Sequence, residues 1–368
     1  MKVLHISGNF IGNKLYQELF KKLSLFNINQ FVYVPVRNEK HIGLNKFDFP
    51  NIDIKYDLVL KPYHRFFYFS KIKKITRCLV DYDFDLIHAH TLFSDGGVAY
   101  QLYRKKGINY IVNIRNTDIN IFYKYFPHLK LFAQEILLNS KYIVFLSNSY
   151  LKKFIKIIPM EIYLKIKDRI LVIPNGIHDD FFSKAPCEHK SKNNIDIVSI
   201  GKLDKNKNMI TLLKLIKNLN KNSHNFKLHV IGDGPEKSNL ISFSKNNGIS
   251  NSVSFYGQLD RNSIIDVLDS SDVFMLLSKN ETFGISYIEA LSRGLPLIYT
   301  KNEGVDGYFD EGLIGYSVDP LNLSEIENAL MKVVERLGDL SSMSYRESKK
   351  FNWDDISKTY FTIYQSSC

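Results

Sequence analysis

The sequence predicts an α/β protein with two doubly wound parallel-sheet domains. Short apolar runs alternate with amphipathic segments along the chain, which is the pattern of parallel strands joined by helices. A chain of 368 residues is longer than one hydrophobic core usually supports. A polar, non-periodic segment at 178–194, which contains Pro186, separates two series of runs. The expected limits are 1–176 for the first domain, 177–194 for the linker, 195–350 for the second domain and 351–368 for a closing helix.

The apolar runs set the order of the predicted strands. Those of the first domain are 2–7, 31–36, 86–90, 110–114, 142–146 and 170–173, and those of the second include 195–200, 228–231 and 273–277. A helix is predicted at Gly96–Lys106, and helical spacing of apolar residues resumes after Gly284. Strands and helices that alternate in this way predict a parallel sheet in each domain.

The composition is that of a globular chain, because 45% of the residues are hydrophobic and 24% are charged. No apolar run reaches the roughly 18 residues that a membrane-spanning helix needs, and the first run is too short for a signal peptide. Cys78, Cys187 and Cys368 are widely separated and odd in number, so they suggest neither a disulfide framework nor a metal cluster. We therefore expect a protein of the reducing cytoplasm.

The net charge of +11 is concentrated in the first half of the chain. Residues 1–180 hold 27 Lys and Arg against 15 Asp and Glu, whereas the rest hold 22 against 23. Such an excess attracts anionic lipid, nucleic acid or a phosphorylated acceptor. In the most basic stretch, Lys61–Lys74, Phe66, Phe67 and Phe69 stand between basic residues.

Residues 58–80 contain six basic residues and no acidic one. This composition favours a face that rests on an anionic membrane surface, and the basic stretch at 150–158 is a second candidate of the same kind. A solvated basic helix whose aromatic side chains pack inward is the alternative interpretation.

The stretch that points to a function is Ser278–Leu291. Glu281 falls in a loop between strand and helix, and Glu289 falls about one and a half turns into the helix. Between them, the N–H groups at the helix start form an anion site. A diphosphate with a hydroxyl-rich group at each end, as in a nucleotide sugar, fits this arrangement. An exposed loop acid and a solvated helix acid are the alternative.

Glu281 is followed by the pattern Glu-Ala-Leu-x-x-Gly-x-Pro from Glu289 to Pro296. This ordered set resembles the retaining GT-B glycosyltransferases of group 1, family 4. The resemblance implies two Rossmann-like domains facing a central cleft, with the acceptor side in the first domain and a last helix that returns to it. It implies transfer of a sugar from a nucleotide-sugar donor with retention, in which Glu281 binds sugar hydroxyls, Glu289 binds the ribose and Leu259 lies by the base.

The loop Gly201–Asn208 carries positive charge into the predicted donor site. The resemblance assigns Lys202 and Lys207 to the leaving diphosphate, although the family has Arg at the first position and Gly at Asn208. Ordinary surface lysines are the alternative. The predicted catalytic residues are Glu281, Lys202 and Lys207, and the predicted donor-binding residues are Gly12, Arg115, Leu259, Thr282, Phe283, Gly284, Ile285 and Glu289.

Two of these residues belong to the first domain. Gly12 lies in a loop that the family places close to the donor phosphates and the acceptor. Arg115 and Asn116 stand where the family has a His-Gly pair whose histidine faces the sugar. A guanidinium cannot act as a base near neutral pH, but it can bind a phosphate or a carboxylate-bearing sugar.

Neither a metal ion nor a cofactor is expected. Asp81–Asp85 contains two Asp-x-Asp patterns, which hold a metal in another class of glycosyltransferase, but it directly precedes a strand and favours a solvated loop. His88 and His90 share one face of that strand. No third ligand for them is evident in the sequence, and the family carries similar histidines without a metal.

The resemblance implies a lipid-linked saccharide acceptor and a role in bacterial surface polysaccharide synthesis (O-antigen, capsule or lipopolysaccharide). We accordingly expect a cytoplasmic protein bound peripherally to the inner face of the cell membrane, without a nucleic-acid partner. A nucleotide-sugar epimerase of the same architecture and a non-enzymatic protein that binds an anionic polymer are the alternatives. The first would form product without an acceptor, and the second would show no turnover.

Overall fold

The computed structural model describes residues 1–12, 14–65, 67–185, 194–221 and 225–368. They form two compact units, each built on one parallel sheet, so the predicted fold class of two Rossmann-like α/β domains is confirmed. The first unit contains Met1–Leu146, Leu151–Gly176 and Trp353–Cys368, and the second contains Ser147–Tyr150 and Ile177–Asn352. Phe66, Pro186, Cys187 and part of the predicted linker lie outside the described residues.

The first unit is organised by a parallel sheet. Its strands are β1 (Lys2–Ile6), β2 (Asn29–Pro35), β3 (Ile52–Asp57), β4 (Leu86–Ala89), β5 (Tyr110–Asn113), β6 (Tyr142–Phe145) and β7 (Ile170–Val172), in the order β3-β2-β1-β4-β5-β6-β7. All the strands predicted for this domain are present. The sequence did not predict β3, because its apolar residues alternate with charged ones on a partly buried edge strand.

Helices alternate with the strands along this part of the chain. They are α1 (Leu15–Ser24), α2 (Tyr68–Leu79), α3 (Ser94–Lys106), α4 (Lys130–Asn139), α5 (Asn148–Ile155) and α6 (Met160–Ile166). Phe20 and Leu23 of α1 are fully buried in one cluster with Val32 of β2 and with Trp353 and Tyr364 of the C-terminal helix. The closing helix therefore completes the core of the first unit.

The second unit repeats the plan. Its strands are β8 (Asn194–Ile200), β9 (Asn225–Ile231), β10 (Val253–Gly257), β11 (Val273–Leu276), β12 (Leu297–Thr300) and β13 (Gly315–Val318), in the order β10-β9-β8-β11-β12-β13. The helices of this unit are α7 (Met209–Lys221), α8 (Lys237–Asn246), α9 (Arg261–Ser270), α10 (Ile285–Ser292), α11 (Leu323–Glu335) and α12 (Leu337–Ser348). The closing helix α13 (Trp353–Gln365) belongs to the first unit. The short strand β13 was not predicted, because its sequence, Gly-Tyr-Ser-Val, contains no continuous apolar run.

The strand order places a binding crevice in each sheet. The order reverses between β1 and β4 in the first unit and between β8 and β11 in the second. Loops that leave the carboxyl ends of two such strands diverge, and ligands of doubly wound sheets bind in the opening between them. In the second unit, these are the loops that carry Lys202, Lys207 and Glu281. Across the described part of the chain, no helix is both long enough and apolar enough to span a bilayer.

Candidate functional site

The second unit brings Lys207 and Glu281 into direct contact. The Nζ of Lys207 lies 2.5 Å from Oε2 of Glu281, and Ser278 Oγ donates to the same oxygen at 3.3 Å. The side chains of Lys207 and Glu281 are only 21% and 13% exposed. Two residues 74 positions apart thus form one charged centre at the carboxyl ends of β8 and β11.

Asn206 fixes the two loops to each other. Its carbonyl oxygen accepts the N–H of Lys279 (2.8 Å), its Oδ1 accepts the N–H of Asn280 (3.1 Å), and its Nδ2 donates to the carbonyl of Asn280 (2.9 Å). Asp204 Oδ1 accepts the N–H groups of Asn206 and Lys207, both at 3.0 Å. The lysine is therefore positioned by the backbone as well as by its ion pair.

Glu303 is a site residue that sequence reasoning missed. Its Oε2 accepts the backbone N–H of Glu281 (2.7 Å), and the N–H of the adjacent Gly304 donates to the carbonyl of Glu281 (2.7 Å). Glu303 is 8% exposed. It lies in the loop after β12, and only the neighbouring position of β11 and β12 in the sheet could have indicated its role.

The start of α10 has the geometry of an anion site. Gly284 precedes the helix with φ +76° and ψ 76°, and a Cβ there would lie 2.5 Å from the ring of Tyr287. Tyr287 is buried, and its hydroxyl donates to the carbonyl of Leu276 (2.6 Å), so the ring cannot move aside freely. Within the described residues, the N–H groups of Phe283, Gly284 and Ile285 have no hydrogen-bond partner. They are free to bind an oxyanion.

The residues that flank this start are fixed by packing and by one hydrogen bond. The carbonyl of Thr282 accepts the hydroxyl of Ser147 (2.5 Å). Phe283 is buried, with its ring centroid 5.9 Å from that of Tyr308 and 5.8 Å from that of Phe351. The backbone that offers the N–H groups is therefore preorganised.

Asn208 stands where the family has glycine, and its backbone conformation explains why asparagine is tolerated there. It has φ 54°, a left-handed conformation that glycine adopts freely and asparagine tolerates better than most residues. Its Nδ2 donates to the carbonyl of Pro320 (3.1 Å), and its Oδ1 accepts from Thr211 (3.0 Å). The left-handed turn that the family makes with glycine is thus retained here by an asparagine, whose side chain adds two hydrogen bonds to the turn.

Lys202 and Leu259 line one cavity of about 700 Å³. Its walls include Gly201 and Gly232, where the loops after β8 and β9 approach closely. Gly232 has φ +131°, and a Cβ there would lie 2.0 Å from the carbonyl oxygen of Gly201, so only glycine fits. Lys202 is exposed, so its ammonium group is open to a ligand in this cavity.

Glu289 lies in α10 and is largely surrounded by protein. Burial raises the pKa of its carboxyl to about 7, and the guanidinium of Arg261 opposes that shift. Arg261 itself donates to Asp180 Oδ2 at 2.7 Å. A carboxyl whose pKa is raised in this way costs stability when it ionises.

Gly12 and Arg115 belong to the first unit. Gly12 is the exposed last residue of a turn at Phe10–Gly12 whose first residue, Phe10, is buried, and a Cβ added at Gly12 would meet nothing within 4 Å. Arg115 follows β5, and its Nε donates to the carbonyl of His90 (3.3 Å). The predicted site residues therefore divide into a group in the second unit and these two in the first.

The sequence showed no third ligand beside His88 and His90, but the structure places one there. The structure adds His5 of β1, whose Nδ1 lies 3.2 Å from Nε2 of His90, and candidate ligand atoms of the three residues lie within 4.8 Å of one another. Burial lowers the pKa of all three, that of His88 to about 3. Because His88 also contacts the Tyr364 hydroxyl (2.6 Å) and Asn113 Oδ1 (3.0 Å), the cluster has the geometry of a buried hydrogen-bond network.

The basic aromatic stretch is only partly the surface that the sequence predicts. Tyr63, Phe67 and Phe69 are 50%, 63% and 53% exposed, so these rings do not pack inward. Lys71, in contrast, is directed inward: its Nζ donates to Ser94 Oγ (2.7 Å), and burial lowers its pKa. Lys71 must therefore be removed from the predicted basic face.

Two protein-family models match most of the chain. Residues 39–181 match the model described as Glycosyltransferase Family 4, and residues 182–350 match the model described as Glycosyl transferases group 1. Among curated proteins, the phosphatidylinositol N-acetylglucosaminyltransferase GPI3 subunit of Saccharomyces cerevisiae is 27% identical over 206 residues, which cover 54% of this chain and 45% of that protein. The match thus spans less than half of that relative's length.

Solved structures with the same architecture superpose over the whole chain. Sucrose-phosphate synthase from Thermosynechococcus elongatus gives a TM-score of 0.77 at 16% identity and covers 100% of this chain and 98% of that one. Anabaena Alr3699/HepE in complex with UDP gives 0.76 at 16% identity and covers 100% of both chains. These similarities establish a GT-B fold. Together with the two models and the Glu281–Pro296 pattern, they show that the chain belongs to the group 1, family 4 glycosyltransferases.

Proposed function

We propose that this protein transfers a glycosyl unit from a nucleotide sugar, held by the second unit, to a saccharide acceptor. The observation that carries the proposal is the Lys207–Glu281 contact of 2.5 Å beside the start of α10. The cation and the N–H groups of the helix start can bind a diphosphate, and the carboxylate can accept hydrogen bonds from sugar hydroxyls. All three groups lie in one hydrogen-bonded pair of loops.

Each group has a distinct role in this proposal. Lys202, Lys207 and the N–H groups around Gly284 bind the diphosphate and stabilise its charge as it leaves. Glu281 accepts hydrogen bonds from the sugar, and Glu289 accepts them from the ribose. Leu259 lies by the base. The UDP complex of the Anabaena protein, which has the same fold, supports a nucleotide-bearing donor.

Turnover with a panel of sugar nucleotides tests the proposal. Nucleotide release is measured with and without a diphosphate-lipid-linked saccharide, and the product is identified. We expect one donor to react only when the acceptor is present. A new nucleotide sugar formed without acceptor would instead identify an epimerase, and salt-sensitive polymer binding with no turnover would identify a binding protein.

We further propose that the reaction retains the anomeric configuration and needs no divalent metal. The cations Lys202 and Lys207 stand where a metal would otherwise neutralise the diphosphate. The anomeric proton coupling of the product should match that of the donor. EDTA should leave turnover unchanged. Restoration of activity by magnesium or manganese after EDTA would contradict metal independence and would direct attention to Asp81–Asp85 and to the three buried histidines.

We also propose a lipid-linked acceptor of bacterial surface polysaccharide synthesis and peripheral binding to the cytoplasmic face of the membrane. The exposed Tyr63, Phe67 and Phe69 stand among basic residues of the first unit, which is the composition of an interfacial surface. Each basic residue near an anionic surface contributes about 1 kcal/mol. The curated yeast relative, named for phosphatidylinositol, supports an acceptor that carries lipid.

Vesicle sedimentation tests this surface. The protein should pellet with anionic vesicles, but not with zwitterionic ones, and high salt should release it. Replacement of Phe67 and Phe69 by Ser, or of Lys73 and Lys74 by Glu, should reduce pelleting without changing nucleotide binding. Lys301→Glu, an exposed charge of the second unit, is the matched control. Equal binding to both vesicle types would contradict the proposal.

A further inference from the structure

A cavity of about 430 Å³ opens at the amino edge of the first sheet. Lys2, Asn29 and Ile52, which line it, are the first residues of β1, β2 and β3. The crevice of this sheet lies at the opposite, carboxyl edge, and the five residues of β1 separate the two edges by about 17 Å at about 3.3 Å per residue. The cavity is therefore distinct from the crevice, and its volume is that of a small-molecule site.

Aromatic rings form the apolar wall of this cavity. Phe31 and Tyr82 line it, with their ring centroids 5.2 Å apart. The buried ring of Phe84 packs against both, at 5.6 Å from Phe31 and 6.1 Å from Tyr82. Tyr82 is only half-buried, so part of its side chain is open to a ligand. It belongs to the stretch 81–85, for which the sequence predicts a solvated loop.

The loop that carries Tyr82 is held in place by the neighbouring strands. Lys55 Nζ of β3 donates to the hydroxyl of Tyr82 (3.0 Å), and the backbone N–H of Lys2 donates to Asp85 Oδ2 (2.7 Å). The ammonium group of Lys2 also lies 5.1 Å from the ring centroid of Phe84. The aromatic wall is thus already positioned, which reduces the entropy that a ligand must lose together with it.

Polar side chains line the rest of the cavity. Asn29, Asn51 and Asp53 are exposed, and among the described residues their side chains form no hydrogen bond or ion pair. Gln30 differs, because it is buried and its Nε2 donates to the carbonyl of Phe20 (2.8 Å). An amide both donates and accepts, whereas a carboxylate accepts. The three exposed groups can therefore bind several hydroxyl groups of one ligand.

The chemistry of this lining favours a neutral ligand rich in hydroxyl groups. Lys2 and Asp53 carry opposite charges, so the lining has no excess of either sign. A sugar ring has an apolar C–H face that packs on an aromatic ring, and hydroxyl groups around its edge that exchange hydrogen bonds with amides and carboxylates. An aromatic wall beside these polar groups suits both parts of a sugar.

We propose that this cavity binds a neutral sugar unit of the acceptor chain, away from the reaction centre. The inference rests on the proposed function, because it concerns the saccharide substrate of the same reaction. A second saccharide site at the far edge of the sheet holds a distant part of a long acceptor, and so keeps the chain on the enzyme between transfers.

Saturation-transfer NMR tests the site without a donor. Methyl glycosides of glucose, galactose, mannose and N-acetylglucosamine are titrated separately while the aromatic protons of the protein are irradiated. We expect at least one glycoside to bind saturably. The double variant Asn51→Gly/Asp53→Ala should weaken that binding at least fivefold, because it removes two polar groups and leaves the aromatic wall intact. Asn51 has φ +62°, which glycine adopts freely.

Matched variants control for the substitutions themselves. Asn302→Gly makes the same exchange at an exposed asparagine of the second unit that also has φ +62°, and should leave glycoside binding unchanged. Tyr82→Leu removes the aromatic ring and should weaken binding at least fivefold. Tyr125→Leu alters a tyrosine that is 64% exposed in the same unit and lies outside the cavity lining, so it should have no effect. If circular dichroism shows that Tyr82→Leu does not fold, the double variant alone decides.

Three results would overturn the proposal. The first is no saturable binding of any of the four glycosides. The second is an unchanged affinity in the folded double variant, which would place the bound sugar elsewhere on the protein. The third is tighter binding of uridine or guanosine than of every glycoside, with a loss in the double variant, which would identify a site for nucleobases.

This titration needs neither donor nor turnover, so its result is independent of the donor panel. If the panel shows no transfer while a glycoside still binds through Asn51 and Asp53, the proposed function fails and the saccharide site stands. If transfer proceeds while no glycoside binds at this cavity, the saccharide site fails and the function stands.

Discussion

The two units surround a positively charged side chain in opposite ways. In the second unit, Lys207 and Glu281 are already paired, and Asn206 locks the two loops that carry them. In the first unit, Arg115 has no anionic partner among the described residues. The lysine of the second unit is held by its own ion pair, whereas the arginine of the first unit has a backbone carbonyl as its hydrogen-bond partner.

Because of this difference, mutations of Lys207 or Glu281 should have other consequences than mutations of Arg115. A largely buried ion pair is costly to break, because removal of one partner leaves the other charge without compensation, at about 3–5 kcal/mol for a fully buried pair. Changes to Glu281 or Lys207 should therefore disturb both the loop structure and the chemistry. Changes to Arg115 should leave the fold stable, because its side chain forms one hydrogen bond and no ion pair among the described residues.

The largest effect on turnover is expected for Glu281→Gln. The amide cannot neutralise Lys207 or act as a charged acceptor for a sugar hydroxyl, so turnover should fall on the order of 100-fold or more. Steady-state kinetics measures the loss, and Asp83→Asn, which alters an exposed ion pair with Lys106, is the matched control. Turnover within a few-fold of the wild type would show that the Lys207–Glu281 contact is only structural.

The next largest effect is expected on the free energy of unfolding, at the glycine positions Gly284 and Gly12. Gly284→Ala forces a Cβ against Tyr287 at a positive φ, and should lower the free energy of unfolding by about 1–3 kcal/mol. Gly12→Ala adds a Cβ in open space, and should change it by less than about 0.5 kcal/mol. Chemical denaturation measures both values. Equal losses would remove the contrast between a strained helix start and an ordinary surface turn.

A smaller effect on stability, which depends on pH, is expected for Glu289→Gln. The pKa of Glu289 is raised to about 7, so the folded protein prefers the protonated form, and stability is lost as pH rises from the ordinary carboxyl range through 7. The variant should therefore be more stable than the wild type at pH 8, by about 1–3 kcal/mol, and no different at pH 4. Thermal unfolding at the two pH values measures this.

The same variant should bind nucleoside diphosphate more weakly at pH 8, by about 1.5–3 kcal/mol, because the ribose loses a charged acceptor. In the wild type, affinity should fall as pH drops below 7 and Glu289 takes up its proton. A variant that is destabilised at pH 8 and retains full affinity would assign Glu289 a structural role.

The contiguous part of the site could be predicted from the sequence. The run 273–277 predicted the buried strand, and Ser278–Leu291 predicted the loop acid and the helix start, because all three arise from local periodicity and from one glycine. The predicted strands also appear, since buried parallel strands are continuous apolar runs. The edge strand β3 escaped prediction, because its charged residues break that pattern.

Groups that the sheet order brings together could not be predicted. Glu303 reaches Glu281 only because β12 lies beside β11, and His5 reaches His90 only because β1 lies beside β4. The inward direction of Lys71 depends likewise on Ser94 at the start of the neighbouring helix. Pair contacts across a sheet have no signature in a single sequence.

Calorimetric titration with nucleoside diphosphates and with the matching nucleosides tests directly whether the second unit binds the donor diphosphate. At least one diphosphate should bind at least tenfold more tightly than its nucleoside, with EDTA present. Lys202→Gln should reduce that difference, and Arg115→Gln should not change it, because the donor diphosphate belongs to the second unit. No diphosphate binding to the folded protein, or a loss of the difference in Arg115→Gln instead of Lys202→Gln, would contradict the account.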